Sequence, residues 1–259
     1  EGEEGESLSS ATFGDRLDYN IPQNQIDYLQ KLRNAAGDKP VIAVVTGGSP
    51  MNLAKIDELA DAVLLVWYPG EEGGTAVADI LFGDISPSGR LPITFPKSLD
   101  QLPAYEDYTM KGRTYKYMNA EPLYPFGYGL SYTTFSYSEP EVSATTFSKD
   151  ETPTVKVTVT NTGKTKGDEV VQLYVTNVKA SVDVPNFQLY GTKRITLETG
   201  AAQEVSFKIT PHMLELVNND GERVLENGDF KIYIGGSSPM PRSFDLGAPK
   251  MAETTLKLQ

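Results

Sequence analysis

The amino-terminal part of the chain alternates amphipathic stretches with continuous apolar runs. Residues 22–36 carry apolar side chains near helical spacing, and Gly37 follows as a stop signal. The runs at 41–48 and 62–70 are rich in Val, Leu and Ile, as is typical of parallel strands buried on both faces. Strands that alternate with helices indicate βαβ units and a mostly parallel sheet. Two further helices are predicted over 53–60 and 75–83.

The last of these helices has a predicted buried side. Ala76, Ile80 and Leu81 are its apolar residues, and Gly83 supplies the stop. We therefore expect these three side chains to face the core of the α/β part.

The pattern changes between Pro87 and Tyr132. This stretch is dense in Pro, Tyr and Gly and shows little periodicity. It predicts a long ordered loop, a kind of segment that often carries function in compact proteins.

From Thr133 onward the pattern is that of an all-β domain. Short strands with alternating apolar residues and frequent turn residues favour an antiparallel β-sandwich of the immunoglobulin or fibronectin III kind. We therefore predict an α/β domain at 1–132 and a β-sandwich domain at 133–259. The strands are predicted over 154–163, 169–178, 193–200, 204–211 and 229–236. The residues expected to face the sandwich core are Val155, Val157, Val159, Leu173 and Val175.

Composition excludes several classes of protein. The 259 residues hold 23 Lys+Arg against 35 Asp+Glu, and this net charge of −12 disfavours nucleic acid and anionic membranes as partners. Cys is absent and His212 is the single His, which argues against thiolate or His-based metal sites and against a Ser-His-Asp triad. No apolar run approaches the ~20 residues that span a bilayer. We expect no metal and no cofactor.

Two groups of carboxylates could transfer protons. Glu1, Glu3 and Glu4 crowd the amino-terminal segment, where mutual repulsion raises the pKa of a carboxyl and suits a general acid. The alternative for them is a solvated acidic tail. Glu71 and Glu72 follow the second predicted strand in the string PGEEGG. They either stabilise the start of a helix or place a catalytic carboxylate at the end of a strand.

Three other features have open roles. The glycines of VVTGGSP could cradle a phosphate, but no complete nucleotide-binding fingerprint is present, which disfavours a nucleotide-binding protein. Arg113 could form a buried ion pair or contact a ligand, and His212 is expected to be structural. The aromatic residues of the long loop could stack on a sugar ring or form a core between the domains. They are Tyr115, Tyr117, Tyr124, Phe126, Tyr128 and Tyr132.

Several strings together resemble glycoside hydrolase family 3. Residues 67–96 resemble the second domain of that family, and residues 122–135 resemble its junction with a fibronectin III-like domain. The resemblance covers essentially the whole chain and implies a three-layer α/β/α sandwich followed by a fibronectin III-like β-sandwich. Further matching strings lie at 14–25, 161–175, 186–200 and 226–238.

The resemblance implies an exo-acting, retaining β-glucosidase or β-xylosidase acting on oligosaccharides or aryl β-glycosides. The barrel of the family, which supplies the nucleophilic Asp, has no counterpart in these residues. The chain is therefore expected to be the carboxy-terminal part of a longer enzyme, with an amino-terminal barrel part as its partner. A periplasmic or secreted location is favoured over the cytoplasm, and homo-oligomer formation stays open. The alternative function is that of an inactive carbohydrate-binding or scaffold protein.

The acid/base residue is also implied by the resemblance. In many members it lies in a Glu-Gly-Glu type loop before an Asp-Arg pair, which maps to Glu3 ahead of the pair at 15–16. Because the spacer is longer here, Glu1 and Glu4 are register alternatives. A minority branch has its acid in the Pro-Gly-x-Glu-Gly turn, which maps to Glu72. Glu3 is the first choice and Glu72 the second.

Overall fold

A computed structural model describes residues 18–104 and 106–259 of the chain. These residues divide into two compact units. The first unit contains residues 18–77, 95–104 and 121–123, and the second contains residues 78–94, 106–120 and 124–259.

The first unit has the alternating order of helices and strands that the sequence predicts. Each of the predicted helices and strands is present, with ends within a few residues of the expected positions. They are α1 (Gln23–Ala36), β1 (Ile42–Thr46), α2 (Ala54–Leu59), β2 (Ala62–Trp67) and α3 (Gly73–Phe82), and α3 continues into the second unit.

α1 ends where the sequence places its stop signal. Gly37 has a φ of +57°, a left-handed conformation that glycine adopts without a steric penalty. Arg33, in the last turn, donates to the Gly37 carbonyl at 2.6 Å and to Asp61 at 2.7 Å. The backbone N–H of Val41 also donates to Asp61, and these hydrogen bonds together lower the pKa of that carboxyl. Asp61 therefore fixes both the end of α1 and the start of β1.

β1 and β2 form a parallel pair, which confirms the predicted parallel pairing. Ile42 lies opposite Ala62 and Val45 opposite Leu65, with a register shift at the end of β1. The pair packs on a small apolar core within the first unit. Its most buried members are Val45, Met51, Leu53, Ile56, Leu59 and Phe95.

The prediction that β1 is buried on both faces is wrong at two positions. Ile42 is 49% exposed and Val44 is 41% exposed, whereas Val45 is buried. Because successive side chains of a strand point to opposite faces, one face of β1 is covered and the other is open in the described structure.

The expected burial of α3 is also only partly correct. Ile80 is half-buried, but Ala76 and Leu81 are exposed. In the described part of the chain no element covers these two side chains, although the helix itself forms as predicted.

The segment predicted as a long loop is irregular over most of its described length. It contains two short helical turns, a 3₁₀ turn at Leu99–Gln101 and α4 at Thr114–Tyr117. Because most of this loop has no regular ladder of backbone hydrogen bonds, individual side-chain and backbone contacts fix its conformation. Several of its side chains are buried.

The second unit is a β-sandwich, as predicted. Its strands are β3 (Phe135–Tyr137), β4 (Glu141–Val142), β5 (Thr146–Phe147), β6 (Thr154–Asn161), β7 (Gly167–Asn177), β8 (Gln188–Leu197), β9 (Ala202–Lys208), β10 (Leu216–Val217), β11 (Arg223–Val224), β12 (Gly228–Gly235) and β13 (Ala252–Leu258). One sheet has five strands in the order β5-β13-β12-β7-β8, and in the other sheet β6 pairs with β3, β4 and β9. The strand pairs within these two sheets are antiparallel except for β5 with β13. A short hairpin, β10–β11, and a helix, α5 (Pro241–Asp245), complete the unit.

The core of the sandwich contains the residues that the alternation predicts. Val155, Val157 and Val159 of β6 are at most 1% exposed, and Leu173 and Val175 of β7 are also buried. They belong to one apolar cluster between the two sheets. The inward-facing assignment made from the sequence is therefore confirmed.

A buried polar network ties β7 to two loops of the same unit. Gln172 donates from Nε2 to the carbonyl oxygens of Gly127 (3.0 Å) and Gly236 (2.9 Å). Tyr174 donates from its hydroxyl to Gln172 Oε1 at 2.5 Å. Since buried polar groups are costly to leave unpaired, this network fixes both loops against the sheet.

Gly127→Ala should destabilise the protein by about 2–5 kcal/mol. Gly127 has a φ of +74°, which costs an L-residue about 1–2 kcal/mol. A Cβ there would also lie 2.4 Å from Gln172 Oε1 and 2.5 Å from the Tyr174 hydroxyl, and such overlap in a packed core costs about 1–3 kcal/mol more. Denaturant unfolding measures the loss.

Gly221→Ala is the matched control. Gly221 has a similar φ of +80°, but nothing lies within 4 Å of its Cβ position. Its substitution should cost only the backbone term, about 1–2 kcal/mol. Equal losses for the two variants would show that the close approach at Gly127 is absent.

Candidate active site

The carboxyl ends of β1 and β2 meet at one edge of the parallel pair. Thr46 lies opposite Trp67, and the N–H of Gly47 donates to the Trp67 carbonyl at 3.3 Å. Ligands of open α/β sheets bind at such edges. The turn that carries Glu71 and Glu72 follows β2 at this edge.

Trp67 marks the edge by its backbone conformation. Its φ is +52°, which is rare for a bulky residue and costs about 1–3 kcal/mol. Its ring lies 6.3 Å from the ring of Phe95, which is fully buried. Packing in the first unit therefore holds a strained residue two positions before the PGEEGG turn.

Gly48 lets an aromatic ring lie against the same edge. A Cβ at Gly48 would be 2.3 Å from Cε2 of Tyr68, so only glycine admits the ring in this position. Tyr68 is 70% exposed. The edge therefore presents an exposed aromatic face beside the turn that carries Glu71 and Glu72.

Glu72 is exposed at the start of α3. Thr75 donates from Oγ1 to Glu72 Oε2 at 3.0 Å, and the N–H of Ala76 donates to the Glu72 carbonyl at 3.0 Å. Within residues 18–104 and 106–259, no second hydrogen-bond partner contacts this carboxylate. Glu72 is thus an exposed carboxylate that stabilises the start of a helix. Its use in proton transfer stays a prediction.

Glu1, Glu3 and Glu4 lie outside the described residues. Their assignment as the acid loop stays a prediction. Glu72 is the one member of the predicted acid/base set that the structure describes.

The aromatic residues of the long loop contribute mainly to packing within the second unit. Tyr115 stacks on Phe126 with ring centroids 4.0 Å apart, and both pack against Tyr174 and Phe187. Tyr128 donates from its hydroxyl to a backbone carbonyl at 2.9 Å. Tyr124 stacks on Tyr128, and Tyr132 donates to the Ile80 carbonyl at 2.7 Å. The core interpretation is therefore favoured over sugar stacking for Tyr115, Phe126 and Tyr128, whereas Tyr132 is 49% exposed and Tyr117 borders a cleft.

Arg113 and His212 have local roles. Arg113 donates to the carbonyl oxygens of Thr109 (3.1 Å) and Asp107, and its charge contributes to a lowered pKa of the Asp107 carboxyl, after the hydrogen bonds from Thr109. His212 Nδ1 lies 3.0 Å from Glu215 Oε2 in an exposed pair. Both residues belong to the second unit.

The described residues contain no cluster of three or more His, Asp or Glu side chains that could hold a metal ion. Nor does this part of the chain contain a helix with the length and hydropathy needed to cross a membrane.

Two features of the edge escaped the sequence analysis. The left-handed Trp67 leaves no mark in the sequence beyond its place before Pro69. The contact of Tyr68 with Gly48 has a weak signal, since a glycine pair after one strand and an aromatic residue after the next are both present. Only the parallel register brings them together.

Comparisons with known proteins agree with this architecture. Residues 1–132 match the glycosyl hydrolase family 3 C-terminal domain, and residues 169–238 match the fibronectin type III-like domain. The periplasmic β-glucosidase of Salmonella typhimurium is 42% identical over 257 residues, which cover 93% of this chain and 33% of that protein. The xylan 1,4-β-xylosidase of Xylanibacter ruminicola is 44% identical over 226 residues, which cover 87% of this chain and 26% of that protein.

Solved structures give the same result. A β-glucosidase from Erythrobacter marinus superposes with a TM-score of 0.82 at 35% identity, covering 97% of this chain and 32% of that one. The chain thus spans about a third of the length of the relatives it matches. On these matches and on its α/β unit and β-sandwich, the chain belongs to glycoside hydrolase family 3, whose carboxy-terminal and fibronectin III-like domains it contains.

Proposed function

We propose that this chain is the carboxy-terminal part of an exo-acting, retaining β-glycosidase that hydrolyses terminal, non-reducing β-D-glucosyl or β-D-xylosyl residues. The observation that carries the proposal is the 42% identity to a β-glucosidase over 93% of the chain. Relatives named β-xylosidase are equally similar, so both sugars are retained. The domain division stays as predicted, with the α/β domain at 1–132 and the sandwich at 133–259.

The partner is an amino-terminal barrel part of the same enzyme. The match to only a third of each relative supports this. The open face of β1 supports it too, because a two-stranded sheet with exposed Ile42 and Val44 is marginal without further packing. We keep a periplasmic or secreted location over a cytoplasmic one, which the name of the periplasmic Salmonella relative supports.

Retaining hydrolysis needs two carboxyl groups about 5–5.5 Å apart. One protonates the leaving oxygen and later deprotonates water, and the other attacks the anomeric carbon. We assign the acid/base role to this chain, with Glu3 first and Glu72 second, and the nucleophilic Asp to the barrel part. No metal or cofactor enters this reaction scheme.

The test compares the full enzyme with the 259-residue chain. The full enzyme should release nitrophenol from aryl β-glucosides or β-xylosides, and NMR should detect the β-anomer as the first product because the mechanism retains configuration. The chain alone should show no turnover, because it lacks the nucleophile. A full enzyme that binds oligosaccharides without hydrolysing them would instead support the carbohydrate-binding or scaffold alternative, and turnover by the chain alone would refute the division of roles.

A further inference from the structure

A cleft of about 360 Å³ lies within the β-sandwich unit. α4 supplies Tyr117, β8 supplies Gln188 and Tyr190, and β11 supplies Arg223. Its volume falls in the range of small-molecule sites, ~300–1,000 Å³, and suits one or two sugar rings rather than a long chain. Segments that converge on a rigid sandwich are a common place for binding groups.

The charged side chains of the cleft balance one another. Lys116 and Arg223 are cationic, whereas Asp183 and Glu215 are anionic. The chain as a whole carries a net charge of −12, so this balance is a local property. A charged ligand would meet as many repulsive as attractive groups, and the cleft therefore favours an uncharged one.

The cleft also has unused hydrogen-bonding capacity. Among residues 18–104 and 106–259, the Gln188 amide and the Arg223 guanidinium have no side-chain hydrogen-bond partner. Burial raises the pKa of Tyr190 despite the opposing charge of Arg223, so the hydroxyl stays protonated at neutral pH. Donors and acceptors thus coexist, as a ligand with many hydroxyl groups requires.

The remaining walls are apolar. Tyr117 and Tyr190 contribute rings, and Met213 and Leu214 contribute aliphatic surface. A β-linked pyranose has apolar C–H faces and a rim of equatorial hydroxyls, so its faces can pack on the rings while its rim bonds to Gln188 and the charged groups.

We propose that this cleft is a binding site for a neutral β-linked saccharide of one or two pyranose rings. The site goes beyond the proposed function and rests on it only for the choice of sugar. It would hold a saccharide on the sandwich unit itself, whether or not the chain is joined to a barrel.

The experiment titrates the 259-residue chain with cellobiose and with xylobiose and follows the backbone amide resonances by NMR. We expect saturable shifts at residues 183–190 and 215–223. Tyr117→Ala and Gln188→Leu should each raise the dissociation constant at least tenfold. Tyr108→Ala removes a ring that is 86% exposed in the same unit and should leave the constant unchanged. Glucuronate and glucosamine, which are charged, should bind at least tenfold more weakly.

Several results would overturn the site. They are the absence of saturable shifts at these residues, tighter binding of a charged sugar, and wild-type affinity in Gln188→Leu. Because Gln188→Leu nearly preserves shape, it decides the outcome if Tyr117→Ala fails to fold. Loss of glycosidase activity in the full enzyme is a separate result. An inactive enzyme whose cleft binds cellobiose refutes the proposed function and retains the site, and an active enzyme whose cleft does not bind refutes the site alone.

Discussion

Replacing Glu169 by Gln should lower the free energy of unfolding of the sandwich unit by about 3–5 kcal/mol, because it leaves a buried guanidinium unpaired. Glu169 is 1% exposed and Arg90 is 9% exposed, with 3.0 Å between Oε1 and Nη2. Arg90 Nε also donates to the Gly236 carbonyl at 2.8 Å. The buried hydroxyl of Tyr137 lies beside them, and burial together with the charge of Glu169 raises its pKa well above the usual value. Urea unfolding of the 259-residue chain measures the loss.

Glu253→Gln is the control for this prediction. Glu253 pairs with Lys231 at 2.9 Å across β12 and β13, in the same sheet as Glu169, but the two side chains are 48% and 42% exposed. Exposed pairs contribute about 0–1 kcal/mol. A double replacement of Arg90 and Glu169 by Met and Leu should recover much of the loss, since a buried pair can be exchanged for apolar groups of similar volume. If Glu169→Gln costs no more than Glu253→Gln, the buried pair contributes nothing particular to the fold.

The strands of the sandwich could be predicted because their side chains alternate, but the buried ion pair could not. Glu169 shares its face of β7 with Val171 and Leu173, which are fully buried. A carboxylate at that position looks like a polar residue at the end of a strand. Its partner lies 79 residues away, in a loop without periodicity. Only the tertiary fold brings the two charges together.

β7 is also buried on its other face over part of its length, which explains why apolar residues stand at successive positions there, with Leu173, Tyr174 and Val175 in a row. Gln172 and Tyr174 are 2% and 0% exposed, and Tyr174 packs with Phe187. The alternation rule assumes one covered face, so it identifies the strand but not the second core.

In the first unit the sequence pattern predicts more burial than the structure shows. The apolar run of β1 predicts a strand correctly, because Val and Ile are enriched in strands. It does not determine what covers each face. Ile42 and Val44 are exposed because the described chain supplies no neighbour there. Burial on both faces needs partners that a local pattern cannot specify.

Of the candidate site, the sequence predicted the turn after β2, whereas the catalytic role of its carboxylates stays a prediction. Glu72 lies at the carboxyl edge of the parallel pair, as its place after a strand indicates. Its bond from Thr75 was not foreseen, although Thr three positions into a helix start is a usual partner for such a carboxylate. The sequence cannot choose between Glu3 and Glu72, because the choice depends on the distance of each carboxylate to the nucleophile, which the proposed function assigns to the barrel part.

Glu3→Ala in the full enzyme should reduce the rate by about 10²–10⁴-fold for substrates with poor leaving groups, which need protonation. Substrates with a good leaving group, such as dinitrophenolate, should lose far less in the glycosylation step. Azide should restore turnover and give a β-glycosyl azide, because a small anion attacks the glycosyl-enzyme without help from a base. The basic limb of the pH–rate profile, which reports the protonated acid, should disappear in this variant.

Glu72→Ala is the decisive comparison, because Glu72 is the alternative acid. If Glu3 is the acid, Glu72→Ala removes only the bond from Thr75 and its helix-start charge, and costs stability of about 0.5–1 kcal/mol with no azide rescue. If Glu72→Ala shows rescue while Glu3→Ala behaves as wild type, the acid lies in the turn after β2, and the strained Trp67 then positions a catalytic carboxylate. Rescue in Glu1→Ala or Glu4→Ala would instead keep the loop and change only the register. The dependence of the rate on the leaving group separates these outcomes from a loss of stability, since unfolding lowers the rate by the same factor for every substrate.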